Sequence, residues 1–312
     1  MSHNQPGIFV VGSFVVGLTI RVPRMPVLGE VVIGDEFDMG PGGKGANQAI
    51  AAARLGADVD LLACIGDDLF STLADQVFDE EGIVGDHIHH MPGNSTGVGV
   101  SQLNPVGENW IVGYLGANLC MRPEHVDAAE EKIAASDILL LQYEVPLPVV
   151  RRALELGRKH GCRNVWNPAP AQPVNKDLLE LVDVLTPNET ELRILLDLSP
   201  DDPTPHAKLA QRVFEMGPGA VVATLGDQGA LLVSADGVKT VPAVQGISVV
   251  DVTGAGDSFN AALAVGLGRG LLLQDAVAQA MYAGAYTVQH LGVIQGLPTR
   301  MELEQFQQAH AT

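Results

Sequence analysis

The chain has 312 residues, 46% hydrophobic and 18% charged, which fits a single folded α/β domain over 1–312 rather than long disorder. Its net charge of −19 argues against nucleic-acid and anionic-membrane partners. No run approaches membrane-spanning length and residues 1–7 lack a signal-peptide pattern. Cys64, Cys120 and Cys162 are odd in number and have no zinc spacing, so reduced thiols in a cytoplasmic protein are expected.

Residues 8–12 read as a short buried strand. Residues 18–39 follow, with strand-like runs at 18–22 and from 31 through 37 around a Pro-containing turn, and this is the chemistry of a small sheet standing off the main body. A Gly-rich loop then opens into a helix over 46–55. A strand is expected at 59–65 and a helix at 69–81. Residues 96–103 and 109–114 flank a turn at 104–108 and form a hairpin that completes the small sheet. From residue 123 the pattern alternates. Helices are expected at 124–135, 148–160, 189–196, 206–216, 257–269 and 275–290, and strands at 138–141, 163–166, 182–185, 220–223 and 230–233. Alternation of this kind implies a mostly parallel sheet covered on both faces, with ligands at the carboxyl ends of its strands.

The most informative stretch is Asp251-Val-Thr-Gly-Ala-Gly-Asp257. Residues 246–250 read as a strand running into it, and a helix follows. A helix start leaves backbone N–H groups unpaired, and Gly254, Ala255 and Gly256 have almost no side chain to keep an anion from them. Asp257 in the first turn can accept a proton from an attacking hydroxyl. Oxyanion cradle and base together are what phosphoryl transfer asks of a protein. The same residues also read as a Gly turn with a capping Asp.

Gly40-Pro-Gly-Gly-Lys-Gly45 fits the G-x-G-x-x-G spacing of dinucleotide sites, with Asp60 near the usual acidic offset, but no buried strand precedes it. What remains is a loop of bare amides with Asn47 one turn inside the helix, facing either a polar ligand or solvent. Asn188 and Glu191 share a helix face and form either a capping box or a pair that orients waters around Mg²⁺. Thr224, Gly226, Asp227 and Gly229 lie between two strands, where glycines admit a flat or anionic ligand or simply make a turn. Glu144 ends a strand at the ligand edge.

Taken together, Gly42-Gly-Lys-Gly-Ala-Asn-Gln48, Thr96-Gly-Val98, Asn167-Pro-Ala-Pro-Ala171, Thr186-Pro-Asn-Glu-Thr-Glu191, Thr224-Leu-Gly226 and Asp251 to Asp257 resemble, in order, the PfkB carbohydrate-kinase family and its ribokinase-like members. The resemblance covers residues 8 to about 298 and implies a ribokinase-like three-layer α/β sandwich with a mostly parallel central sheet. It also implies a small β lid from segments 15–40 and 96–115, through which a homodimer forms. The implied reaction is transfer of the ATP γ-phosphate to a sugar hydroxyl. Asp257 is then the base and Gly254, Ala255 and Gly256 the anion hole. Gly42, Gly43, Lys44, Asn47 and Glu144 contact the sugar. Asn188, Thr224, Gly226, Asp227 and Gly229 line the nucleotide, and Glu191 orders the Mg²⁺ waters. A monovalent cation, K⁺ by expectation, takes Asp251, Thr253, Thr287, His290, Gly292 and Gly296.

One departure stands out. The family's Asn and Asp after the first strand, which hold ribose hydroxyls, are replaced here by Val15 and Gly17, with Arg21 or Asn109 available to restore a contact. The expected substrate is a small sugar or polyol other than ribose. A nucleoside is the alternative, and a non-catalytic sugar or nucleotide sensor is the reading from another class, against which the retained Asp257 speaks.

Overall fold

The computed structural model describes residues 5–83, 85–105 and 109–310. The turn expected at 104–108 and the Asn109 side chain lie wholly or partly outside them. In chain order the elements are β1 (Gly7–Val11), β2 (Val15–Arg21), β3 (Glu36–Gly42), α1 (Lys44–Arg54), β4 (Asp58–Ile65), α2 (Leu69–Glu80), β5 (Ile88–His90), β6 (Gly97–Leu103), β7 (Asn109–Tyr114), α3 (Pro123–Ala128), α4 (Glu130–Ala135), β8 (Ile138–Leu141) and α5 (Leu147–His160). They continue with β9 (Arg163–Trp166), α6 (Lys176–Leu179), β10 (Val184–Leu185), α7 (Glu189–Leu195), α8 (His206–Phe214), β11 (Ala220–Thr224), β12 (Ala230–Ser234), β13 (Gly237–Val241), α9 (Ala255–Gly268), α10 (Leu273–Thr287), α11 (Val293–Gly296) and α12 (Arg300–His310).

Among the described residues the large sheet has nine strands in the order β13-β12-β11-β10-β9-β8-β1-β4-β5. Pairing is parallel except where β12 meets β11 and β13. Central strands such as Ile138–Leu141 are apolar throughout and fully buried, because helices cover both faces. Successive side chains leave a strand on opposite faces, and β1 shows the result. Ile8 and Val10 join one core with α1, α2, α9 and α10, while Phe9 and Val11 join a second with α3 to α5, α7 and α8. Sheet and two helix layers make the three-layer sandwich. Helix α9 is buried along Asp257–Leu267, and α1 packs against it through alanines.

A second sheet, ordered β3-β2-β6-β7, lies in the two expected lid segments. β2 pairs antiparallel with β3 and parallel with β6, and β6 pairs antiparallel with β7. Pro41 sits in the edge strand β3, the kind of strand to which sheets confine proline.

Several expected elements differ. Residues 246–250 form no strand: Val249 and Val250 are exposed, and the Val250 N–H donates to the Val288 carbonyl at 2.7 Å. The β-branched run signalled a strand, but that backbone is held by the end of α10 instead. Val31 and Ile33 also lie outside any strand, exposed between Pro26, Gly29 and Gly34, and the paired segment begins at Glu36. The helix expected at 124–135 breaks at Ala129 into α3 and α4. β5, β13, α6, α11 and α12 were not anticipated. No helix among the described residues is long and apolar enough to cross a membrane.

Candidate active site

The site forms where β1, β8, β9 and β10 end and the N-termini of α1 and α9 begin. Gly12 and Gly45 make this convergence possible. A Cβ on Gly12 would lie 2.5 Å from Gly45 Cα, and one on Gly45 would lie 2.3 Å from the Ser13 nitrogen. Only bare backbone lets the β1–β2 connection and the start of α1 approach so closely. Ser13 continues the contact, since its hydroxyl donates to Glu144 Oε2 and accepts from the Gly45 N–H. Glu144 Oε2 also accepts the Lys44 backbone N–H at 2.8 Å. Glu144, expected at a strand end, is therefore fixed against the Gly-rich loop.

Asp257 is 6% exposed, although it is a carboxylate at a helix start. Its Oδ2 accepts from Asn47 Nδ2 at 2.8 Å and its Oδ1 from Gln48 Nε2 at 3.0 Å. Asn47 is thus buried and faces the Asp257 carboxylate, not solvent. Gln48 Nε2 also donates to Asn167 Oδ1 at 3.2 Å, and Asn167 Nδ2 donates to the Thr186 carbonyl at 2.9 Å. The Thr186 hydroxyl donates to Asn260 Oδ1 at 2.5 Å, and Asn260 Nδ2 donates to the Gly256 carbonyl at 2.8 Å. These contacts close a ring from Asp257 back to its chain neighbour Gly256. Gln48, Asn167, Thr186 and Asn260 were assigned no role from the sequence. The signal available was amides and a hydroxyl at positions flanked by alanines and apolar strand ends, where an unpaired polar group would be costly.

Charge gathers around this ring. The Lys44 ammonium is held above the usual lysine range by Asp257 foremost, against burial, with Glu144 and Glu191 adding to the effect. The Glu191 carboxyl is pushed up by burial; the Asn188 N–H and Lys44 pull it back, and Asp257 pushes it further up. Lys44 therefore sits in the field of Asp257, Glu144 and Glu191, and Glu191 in that of Lys44 and Asp257. Asn188 and Glu191 form a full capping box: Asn188 Oδ1 accepts the Thr190 and Glu191 N–H groups, and Glu191 Oε2 accepts the Asn188 N–H. The box also sets Glu191 toward Lys44 and Asp257.

At the start of α9, Gly254 takes φ +83°, and a Cβ there would meet Val293 Cγ1 at 2.8 Å. Glycine is required on both counts. Ala255 and Gly256 line a cavity of about 410 Å³ that reaches Thr224, Gly226, Asp227 and Gly229. Asn188 adjoins it, bridging to Thr224. The remaining wall is mostly apolar and includes Val244, Ile247, Val249, Phe259 and Met281, which the sequence did not single out. Such a wall suits a flat heteroaromatic ring, with polar groups at one end.

The residues expected around a monovalent cation also meet. Asp251 Oδ1 accepts the Thr253 N–H at 2.9 Å and its hydroxyl at 2.7 Å, and Oδ2 accepts the Gly292 N–H at 3.1 Å. A Cβ on Gly296 would sit 3.1 Å from the Thr287 carbonyl oxygen and 3.5 Å from His290 Cβ. The His290 ring, by contrast, is turned toward its own helix: Nδ1 lies 3.0 Å from the Tyr286 carbonyl and the ring stacks on Tyr286. Arg54 ties this loop to α1, donating to the Ile294 and Leu297 carbonyls. Among the described residues no three His, Cys, Asp or Glu side chains form a metal cluster. The cysteines are free thiols, and burial pushes Cys64 up to about 12, which removes it as a nucleophile.

Val15 and Gly17 lie on one face of β2. Val15 pairs with Gly42 on one side and Gly97 on the other. Gly17 pairs with Gly40 and Gly99, and Gly99 pairs with Gly113, so four glycines cross the small sheet in register. Among the described residues, added Cβ atoms at Gly40, Gly99 and Gly113 would meet nothing within 4 Å. Arg21, on the same face further along, is paired with Glu36 at 3.0 Å.

A model described as pfkB family carbohydrate kinase matches residues 5–300. Relatives by sequence include a ribokinase of Haemophilus influenzae, 37% identical over 297 residues, covering 95% of this chain and 97% of the relative. A deoxyribokinase of Salmonella typhimurium is 35% identical over 301 residues, covering 96% and 97%. Among solved structures, a ribokinase from Thermotoga maritima superposes with a TM-score of 0.89 at 33% identity, covering 96% and 99%. Arabidopsis thaliana ribokinase, solved with ribose and ATP, gives 0.89 at 28% identity, covering 97% and 99%. Sequence, fold and relatives agree that the chain belongs to the pfkB family of carbohydrate kinases, phosphotransferases whose acceptor is a sugar.

Proposed function

We propose that the protein transfers the γ-phosphate of ATP to a hydroxyl of a small sugar or polyol, and that ribose is not its preferred acceptor. The observation that carries the reading is Asp257, a buried carboxylate with an amide donor on each oxygen, one residue from the anion-hole backbone. In this reading Asp257 takes the proton of the attacking hydroxyl, whose oxygen bonds to the γ-phosphorus as ADP leaves. Backbone N–H groups of Gly254, Ala255 and Gly256 hold the negative charge that develops. Gly42, Gly43, Lys44, Asn47 and Glu144 bind the acceptor. Asn188, Thr224, Gly226, Asp227 and Gly229 bind the nucleotide along the apolar cavity.

Glu191 fits a water-mediated role toward Mg²⁺. A single carboxylate beside a phosphate site suits an ion that keeps most of its waters, and the ion would neutralise phosphate charge when bound. Asp251, Thr253, Thr287, His290, Gly292 and Gly296 fit a monovalent cation such as K⁺, with backbone oxygens as donors. The Thr287 carbonyl lies where any side chain at position 296 would crowd it. His290 then serves through its backbone, given where its ring lies.

Against ribose stands the β2 face. Val15 offers a hydroxyl no partner, and burying an unpaired hydroxyl costs roughly 1–3 kcal/mol. The glycine file also favours a second acceptor class, a nucleoside, because it leaves room beside Val15 for a larger substituent. An ADP-coupled screen over pentoses, hexoses, polyols and nucleosides tests both readings. The expected result is turnover of a polyhydroxy compound with higher kcat/KM than ribose. No turnover with any acceptor, together with nucleotide binding, would favour a sensor.

The small sheet further supports a homodimer. Its other face carries Phe37, Met39, Val100, Trp110, Val112 and Tyr114, all exposed, with Trp110 at 57% and Val112 at 73%. A contiguous apolar face of this kind marks an interface, and a second copy would cover it.

A further inference from the structure

Gln48 is completely buried, yet all its polar atoms are engaged. Its two amide N–H bonds go to Asp257 Oδ1 and Asn167 Oδ1, and its Oε1 accepts from Gln142 Nε2 at 2.6 Å. The direction of this chain is dictated by its ends. An ionised carboxylate only accepts, so Gln48 must turn its NH₂ edge to Asp257. Its carbonyl then faces Gln142, which must in turn present its NH₂. On the other branch, the Thr186 and Gly256 carbonyls also only accept, and they fix Asn167 and Asn260. No amide in the ring can flip without setting two acceptors or two donors against each other.

Asn47 and Gln48 divide the work of holding the base. Asn47, in the first turn of α1, is an acceptor contact in the proposed reading, with its Oδ1 left without a partner among the described residues. Gln48 is sealed behind it, supported by Gln142 at the end of β8. We propose that Gln48 is a positioning residue, whose amide locks the Asp257 carboxylate in its proton-accepting orientation and sets kcat without touching either substrate. This rests on the reading of Asp257 as the base. A carboxylate free to rotate would less often hold an oxygen within reach of the acceptor hydroxyl's proton, and misplacement of a catalytic group is costly in rate. The closed ring adds a second consequence. Gln48 fixes Asp257 relative to Gly256, so base and anion hole are set against each other by side chains as well as by the helix.

The test is a double-substitution cycle on the intact enzyme with its best acceptor. Gln48→Met keeps approximate shape and removes both donors. It should lower kcat about 10- to 100-fold, the loss expected for one hydrogen bond to a charged group, with both KM values within about threefold. In an Asp257→Asn background the same change should cost less than about threefold, because the group it positions no longer accepts a proton. Equal losses in both backgrounds, or a rise in KM matching the fall in kcat, would overturn the positioning role. Should Asp257→Asn itself retain activity within a few-fold of the parent, the base assignment fails, and that result is distinct from a failure of the cycle. If Gln48→Met does not fold, Gln142→Leu removes the support one bond further out. It should show a smaller loss in kcat, with the same dependence on Asp257 and KM unchanged; a loss independent of Asp257 would count against the proposal.

Discussion

Asn47 Nδ2 donates to Asp257 Oδ2 at 2.8 Å, while the Asn47 Oδ1, buried with it, has no partner among the described residues. An acceptor left open beside a carboxylate suits a ligand hydroxyl, which can donate to either. Replacing Asp257 by Asn preserves shape but removes the proton acceptor, and the new NH₂ keeps a partner when Asn47 turns its Oδ1 inward in place of its Nδ2. Asp257→Asn should keep the thermal midpoint and nucleotide binding, and lose roughly 10²–10⁴-fold in kcat. Coupled-assay kinetics with a binding titration check this. A kcat within a few-fold of the parent rules the base assignment out.

Restoring the missing hydroxyl readers should restore ribose. At Gly17 an added Cβ meets, among the described residues, only the Gly40 carbonyl, at an ordinary 3.6 Å, so there is room for an Asp to begin there. Val15→Asn/Gly17→Asp is expected to raise kcat/KM for ribose about tenfold to hundredfold and to lower it for the native acceptor. Steady-state kinetics on both sugars decide the matter. No gain for ribose would mean that other residues set the preference.

Activity should depend on a small monovalent cation. Asp251 holds the 251–253 turn and the Gly292 amide together just ahead of Gly254, so an ion in that loop adds positive potential near the transferred group. The expected outcome is higher kcat in K⁺ than in tetramethylammonium, with Asp251→Ala erasing the difference. Equal rates in the two salts for the parent enzyme would argue against the site.

Burial pushes the Glu191 carboxyl above the ordinary glutamate range. A raised carboxyl begins to protonate at higher pH than a free one, and its neutral form is a poor acceptor for metal-bound water. The Mg²⁺ needed for half-maximal activity should therefore climb as pH falls, starting above the usual glutamate range. Glu191→Gln keeps the capping geometry and should raise that concentration about 10-fold at neutral pH, with the pH dependence gone. An unchanged Mg²⁺ requirement in the variant would remove Glu191 from this role.

The apolar face of the small sheet should be an interface between two copies. Light scattering should give twice the chain mass, and Trp110→Glu, a charge placed on that face, should shift the enzyme toward monomer. A monomeric parent protein would leave the face without its proposed occupant.

The parallel sheet was readable because strands such as Ile138–Leu141 and helices such as Leu147–His160 carry unambiguous apolar patterns. The glycine turn into α9 was readable because Gly254 and Asp257 are local to one turn. Val249 and Val250 misled because β-branched residues favour extended backbone whether or not a neighbouring strand exists to pair with. The ring was not readable as such. Gln48 and Asn167 are 119 positions apart, and nothing local tells a buried amide with partners from a tolerated surface one.

The small sheet and the ring share no residue. The ring draws on Gln48, Asn167, Thr186, Gly256, Asp257 and Asn260, all anchored in the main body, whereas Val15, Gly17 and the paired glycines belong to β2, β3, β6 and β7. Substitutions on β2 thus touch none of the hydrogen bonds that hold Asp257, so the shape of the acceptor pocket can be retuned separately from the carboxylate's placement. Val15 and Gly17 therefore bear on which acceptor fits, and the ring bears on how Asp257 is held.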